Sequence, residues 1–217
     1  MSSFPGSPKI LKGGIVVLDP QSGAVLRIIP LQYNPDTLTR SFQIRGVGAE
    51  SGDRIEALRL KGPPVETIKV EAEIDATDQL EVVDSDVTKM GLHPLLAALE
   101  VLIYPTSAAL QDNNATAASG SLEIVAVEAA LTVFVFGPRR IVPVRITELT
   151  ITEEAFDTAL NPIRAKISLG MRVLTVDDVG FAEKSGGLFM TYLKAKEQLA
   201  TQNKAGVFGV LGITGIS

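Results

Sequence analysis

Between Ile163 and Val173 the chain alternates without a break. Ile163, Ala165, Ile167, Leu169, Met171 and Val173 share one parity, and Arg164, Lys166, Ser168, Gly170 and Arg172 share the other. Successive side chains of a strand point to opposite faces, so this period of two predicts a half-buried antiparallel strand. The pattern recurs over residues 66–75, where Ile68, Val70, Ala72 and Ile74 alternate with Thr67, Lys69, Glu71 and Glu73. Leu38, Phe42 and Ile44 alternate with Thr39, Ser41 and Gln43 to give another strand. Residues 13–18 and 24–31 flank the turn-rich spacer Asp19-Pro20-Gln21-Ser22-Gly23, which predicts a hairpin. Residues 121–136 are apolar at both parities, as expected of a strand covered on two sides. Taken whole, residues 134–174 read as strand, turn, strand, long polar connection, strand.

Helical spacing appears twice. Leu92, Leu95, Leu96, Leu99, Leu102 and Ile103 form an apolar stripe, with Pro94 suited to a first turn and Pro105 marking the stop. Leu188, Tyr192, Ala195 and Leu199 predict a second amphipathic helix over residues 185–202. Residues 46–64 read as a long glycine-rich loop ending in Pro63-Pro64. Residues 106–120, polar and of low complexity, read as a flexible excursion. Residues 205–217 are apolar, uncharged and punctuated by glycine. They make a poor isolated helix, and this tail is expected to be loose in a monomer and to order against a partner.

Composition narrows the function more than the fold. A chain of 217 residues can bury a core without staples, and it has no cysteine, which removes disulfides, thiolate metal sites and a cysteine nucleophile. One histidine, His93, all but excludes a multi-histidine metal site, and its place before Pro94 suits capping or packing. A net charge of -5 argues against a nucleic-acid partner. The mean hydropathy of +0.26 is high for a chain with no membrane-spanning run, and subunit contacts account for the excess. No basic region followed by an apolar stretch opens the sequence, so synthesis in the cytoplasm is expected.

No constellation of catalytic, cofactor-binding or metal-ligating residues emerges. Asp75, Asp78, Glu81, Asp84 and Asp86 lack the spacing of a calcium loop and read as a solvated acidic loop. Glu153, Glu154 and Asp157 resemble a carboxylate cluster for glycoside hydrolysis, placed on a polar connection with nothing to raise a pKa. Arg139 and Arg140 follow Gly137-Pro138 in a tight turn and can meet the acidic loop of a neighbouring subunit. Asn34-Pro35 and Asn161-Pro162 read as turn formers. The candidate assembly residues are therefore Arg139, Arg140, Asp75 and Asp78, with Val207, Phe208 and Leu211 of the tail.

Four segments in order carry a family resemblance: LQYNPDTLTRSF at 31–42, IDATD at 74–78, GLHPLLAALEVLIYP at 91–105 and FDTALNPIRAKISLGMRVL at 156–174. Together they resemble the tube and baseplate proteins of contractile injection systems, phage-tail-like particles that drive a rigid tube through a sheath. The resemblance covers about residues 10–180. It implies a mainly β fold, a β-barrel or β-sandwich of the phage tail-tube type with one packed internal α-helix, followed by a C-terminal helix and tail at 181–217. It further implies a non-enzymatic, hexameric ring that needs no cofactor and joins the inner tube to the spike and baseplate proteins. A bulk inner-tube protein is the alternative within that class, and a carbohydrate-active enzyme the alternative outside it. Longer members continue into a peptidoglycan-binding LysM module, for which this sequence has no segment. Whether the finished particle is released or anchored to a membrane stays open.

Overall fold

The computed structural model describes residues 11–46, 59–77, 89–118, 129–203, 206 and 208–216. Seven strands, β1 (Gly14–Leu18), β2 (Val25–Pro30), β3 (Leu38–Gln43), β4 (Val65–Asp75), β5 (Leu131–Val135), β6 (Ile141–Phe156) and β7 (Pro162–Val173), make one sheet in the order β2-β1-β5-β6-β7-β4-β3. Every neighbouring pair is antiparallel. Among the described residues four α-helices accompany it: α1 (His93–Glu100), α2 (Ser107–Ala118), α3 (Val176–Val179) and α4 (Lys184–Gln202).

The alternation read from the sequence sets which face is buried. Ala165, Ile167, Leu169, Met171 and Val173 of β7 and Ile68, Val70 and Ile74 of β4 lie in the main core, while Arg164, Lys166 and Arg172 point away from it. β5 is buried at both parities: Phe134 joins the main core, and Leu131 and Val133 form a smaller cluster with Leu18 on the other side. Residues 121–128, the first part of the strand expected there, lie outside the described residues.

β2 and β3 follow one another in the chain yet occupy opposite edges of the sheet. The eight residue steps from Pro30 to Leu38 reach at most about 26–29 Å, whereas six strand spacings across a flat sheet span about 29 Å. Because this connection contains bends, the sheet must be rolled. Ile15, Val17 and Ile29 from one end of the strand order accordingly share a core with Ile68, Val70 and Ile74 from the other. Gln32 fastens the crossing: its side-chain amide donates to the Asp75 carbonyl, and its oxygen accepts the Asp75 N–H at 2.8 Å. Asn34 fastens the other end, accepting the Gly13 N–H at 2.9 Å and donating to the Leu11 carbonyl at 2.7 Å. Since β2 and β3 do not pair, the result is neither the closed barrel nor the two-sheet sandwich expected, but a single rolled sheet.

Three further expectations change. The strand expected after the turn at Arg140 is β6, but it also takes in most of the long polar connection expected to follow it: β6 runs 16 residues to Phe156 and turns tightly through residues 157–161 into β7. Bulges between Ile146 and Glu148 and again near Ala155 reset its parity, so no single alternation runs its length. The excursion at 106–120 contains α2. Alanine-rich and free of glycine and proline, it has good helix propensity, and the Thr106 hydroxyl accepts the Ala109 N–H at 3.2 Å as a cap. It buries no residue, so no stripe marked it. His93 neither caps nor packs; it is exposed at the start of α1, where no side chain caps the helix.

α1 buries Leu96 and Leu99, with Leu92 beside them in the core. Its start is tied to β7 through the Leu92 N–H, which donates to the Pro162 carbonyl at 2.8 Å. Gly91 just before it has φ +56, and a Cβ there would lie 2.4 Å from the Pro162 oxygen, so only glycine fits. α4 matches the predicted span to within a residue, but its buried stripe is Ser185, Gly186, Phe189 and Tyr192, and Leu199 is exposed. Phe189 and Tyr192 enter the same core as the sheet. Among the described residues no helix is long and apolar enough to cross a membrane.

Candidate functional site

The two edges of the rolled sheet differ in how they meet solvent. On β2, Val25, Leu26 and Ile28 are 59–65% exposed, and only Arg27 adds a charge. Beside this edge lies an apolar groove of about 510 Å³, walled by Leu26 and Arg27 on one side and by Val101, Ile103, Tyr104 and Pro105 past the end of α1 on the other. Phe42 on β3 is exposed, as is Ile44 just past its end, but two cations lie against the Phe42 ring. The Arg40 guanidinium lies 4.8 Å and the Lys196 ammonium 5.3 Å from its ring centroid. Charged side chains of this kind discourage edge pairing, so β3 is guarded where β2 is bare.

That guard belongs to a polar cluster that sequence reasoning missed. Glu66 lies at the inward parity of β4, and its side chain is almost fully buried. One oxygen accepts from Arg40 Nε at 2.8 Å and from the Tyr192 hydroxyl at 2.9 Å; the other accepts from Lys196 Nζ at 2.9 Å. Arg40 also donates to the Tyr192 hydroxyl at 2.9 Å. Burial by itself would raise the Glu66 pKa, but the hydrogen bonds and positive charges of Lys196 and Arg40 outweigh it and hold the carboxyl below its ordinary 4.5. Burial first, and then the charge of Glu66, pushes the Tyr192 phenol up to about 12. The arrangement clamps α4 onto β3 and β4. Its members stand 26, 126 and 130 residues from Glu66. The readable signal was a carboxylate in phase with Ile68 and Val70, because a buried charge has to be paired.

Of the residues expected to make assembly contacts, Arg139 and Arg140 lie in the turn joining β5 to β6, shaped by Gly137 at φ +80. Arg139 is exposed and makes no ion pair among the described residues. Arg140 places its guanidinium 5.7 Å from the Phe136 ring centroid. Asp75 is engaged within its own chain, 2.7 Å from Arg164 Nη2, and accepts from the hydroxyl and the N–H of Thr77. Those bonds, Thr77 foremost, hold its carboxyl below 3.8. The acid expected to receive the arginine turn of a neighbour is thus already paired. Asp78, Glu81, Asp84 and Asp86 lie outside the described residues, as does Val207. Phe208 and Leu211 bound a 3-10 turn and are both exposed.

Of the carboxylates considered for hydrolysis, Glu154 and Asp157 are engaged by neighbours in the chain's own fold. Glu153 and Glu154 lie on β6 rather than on a loop, and Glu154 pairs with Lys166 at 2.7 Å. Asp157 accepts from the Asn161 side chain and N–H and from the Ala159 N–H, each at 2.8 Å, which keeps its pKa below 3.8. A depressed pKa is the opposite of what a general acid requires. Asn161 thereby closes the turn before Pro162 and also donates to the Lys89 carbonyl at 3.3 Å. Among the described residues no group of histidine and acidic side chains could hold a metal. No protein-family model matches the chain, and no curated protein matches it in sequence.

Proposed function

We propose that the chain is a ring-forming structural subunit of a contractile injection particle, an adaptor joining the inner tube to the spike and baseplate proteins. The observation that carries this reading is the unclosed sheet: among the described residues β2 and β3 end its strand order on opposite sides without pairing to each other, and Val25, Leu26 and Ile28 of β2 are exposed. A unit of this shape, repeated about an axis, sets an edge of one copy against the next. Closing the ring then removes edges that would otherwise recruit strands indiscriminately.

The four motifs behind the family resemblance coincide with the parts that make this shape. Residues 31–42 are the crossover between the edges together with most of β3, and the second motif begins with Ile74 and Asp75, the end of β4. Residues 91–105 hold α1, and 156–174 hold the last turn and β7. The clamped α4 and the tail beyond it exceed what a minimal tube layer needs, which favours the adaptor over a bulk tube subunit.

The test is co-expression with the spike and inner-tube proteins, followed by imaging of particles that carry a label on this chain. A label confined to one ring at the tube base supports the adaptor. A label repeated along the tube makes the chain a bulk tube protein. A monomer that cleaves polysaccharide and joins no particle refutes both.

A further inference from the structure

The tail repeats a three-residue unit. Glycine stands at 206, 209, 212 and 215, and each is followed by a β-branched residue, Val207, Val210, Ile213 and Ile216. A period of three suits a backbone with three residues per turn, which aligns every third side chain on one side. The chain forms one such turn here, Phe208–Leu211. Val210, Leu211 and Ile216 are 72–83% exposed, and Phe208 and Ile213 are about half so. An uncharged segment that leaves this much apolar surface in water marks a contact site.

The same chain carries a surface of matching character. The groove beside β2 has apolar walls, and Arg27 is the one charged residue among the described residues lining it. No described residue of the tail lines it. α4, which precedes the tail, is held at the β3 side, with Lys196 fixed on Glu66 and over Phe42 ten residues before Gly206.

We propose that residues 206–216 of one copy occupy the β2-edge groove of the next. The proposal rests on the ring-forming reading above and names its contact. Donor and acceptor belong to opposite edges of one sheet, so every copy gives a tail and receives one in head-to-tail order. Burying an aliphatic or phenyl side chain removes about 60–120 Å² from water on the usual apolar-area scale. Five of them with the groove wall remove roughly 600–1,200 Å², at or below the ~1,200 Å² of the smallest stable interfaces. One tail in one groove is therefore a weak link, and the assembly it suits is a closed ring in which all links form together.

The absence of cysteine lets single cysteines report this contact without background. Full-length protein with Val210→Cys is mixed with tagged full-length protein bearing Ile103→Cys, concentrated, oxidised and run on a non-reducing denaturing gel. The expected result is a shift to a mixed dimer carrying one chain of each kind. The control partner, Thr150→Cys on the outer face of β6, should give no such shift. The contact is overturned if the mixed dimer is no stronger than the control. It is also overturned if a chain carrying both cysteines closes only on itself, or if the tail instead carries the protein onto phosphatidylcholine vesicles with no mixed dimer. Six-fold rings without the mixed dimer remove this contact and leave the ring reading standing. A mixed dimer from protein that never forms rings keeps the contact and removes that reading.

Discussion

Ile167 and Lys166 are sequence neighbours with opposite environments. Ile167 lies in the main core, and Lys166 stands outside beside Glu154 and Glu73. Ile167→Asp should cost several kcal/mol and abolish soluble folded protein. Lys166→Asp sets a carboxylate against two others on an exposed face and should cost no more than about 1 kcal/mol. Equal loss in urea denaturation would mean the faces are misassigned. The buried clamp gives a second residue-level prediction. Glu66→Ala leaves Arg40 and Lys196 without their counter-charge and should destabilise by about 3–5 kcal/mol, while Glu66→Gln should lose less. An effect of Glu66→Ala within about 0.5 kcal/mol would place the residue at the surface instead.

Titration of the same cluster runs in two directions. The Glu66 pKa is depressed in the fold, so its contribution is complete above about 4.5 and drains away as pH falls through the lower folded value. The Tyr192 pKa is raised, so its contribution is complete below 10.0 and is lost as pH climbs towards about 12. Tyr192→Phe should lessen the alkaline loss of stability, leaving the share that Lys166 contributes through its own raised pKa, and remove a late-ionising phenol from ultraviolet difference spectra. An unchanged alkaline slope in that variant would contradict the assignment.

At the scale of elements, legibility depended on uninterrupted periodicity. β4 and β7 announce themselves because one parity holds along each, and the edges of α4 followed from a stripe whose centre alone was misplaced. β6 was hidden by its bulges, and α2 by having no buried face. The Glu66 clamp was hidden by sequence distance, since pattern reading works within a window of a few turns and its partners lie far beyond one. The rolled but open form of the sheet was not readable either, because alternation fixes which side is buried and leaves strand order free. The β6–β7 turn offers a test of local strain. Leu160 is its one non-glycine residue with positive φ, at 65°, and its side chain is 76% exposed. Left-handed backbone costs a leucine about 1–2 kcal/mol, partly offset by the greater unfolded-state freedom of glycine. Leu160→Gly should therefore raise stability by up to about 1 kcal/mol, and a clear loss would show that the side chain is held by contacts. Truncation after Asn203 should leave the denaturation midpoint unchanged, because the described tail side chains are exposed, while weakening assembly.

At the scale of the whole molecule, the sheet is finished inside and unfinished at its margins. Its core is continuous, and no buried side-chain nitrogen or oxygen among the described residues lacks a partner. Its β2 edge, the groove beside it and the tail are nonetheless apolar and uncovered. Surface of that kind is what the proposed contact between copies would cover. The acidic and basic residues instead line the outer face of β4, β6 and β7, where Lys69 with Glu148 and Lys166 with Glu154 form exposed pairs of little energetic weight. Contacts as small as one tail in one groove predict a monomer in dilute solution and rings where copies are concentrated or templated by the spike.

Counting the copies in a ring tests the central claim most directly. Single-particle imaging of the protein assembled with its spike should show six copies about one axis, each with its β2 edge against a neighbour. A particle in which the chain is monomeric, or in which β2 faces solvent in every copy, would contradict it.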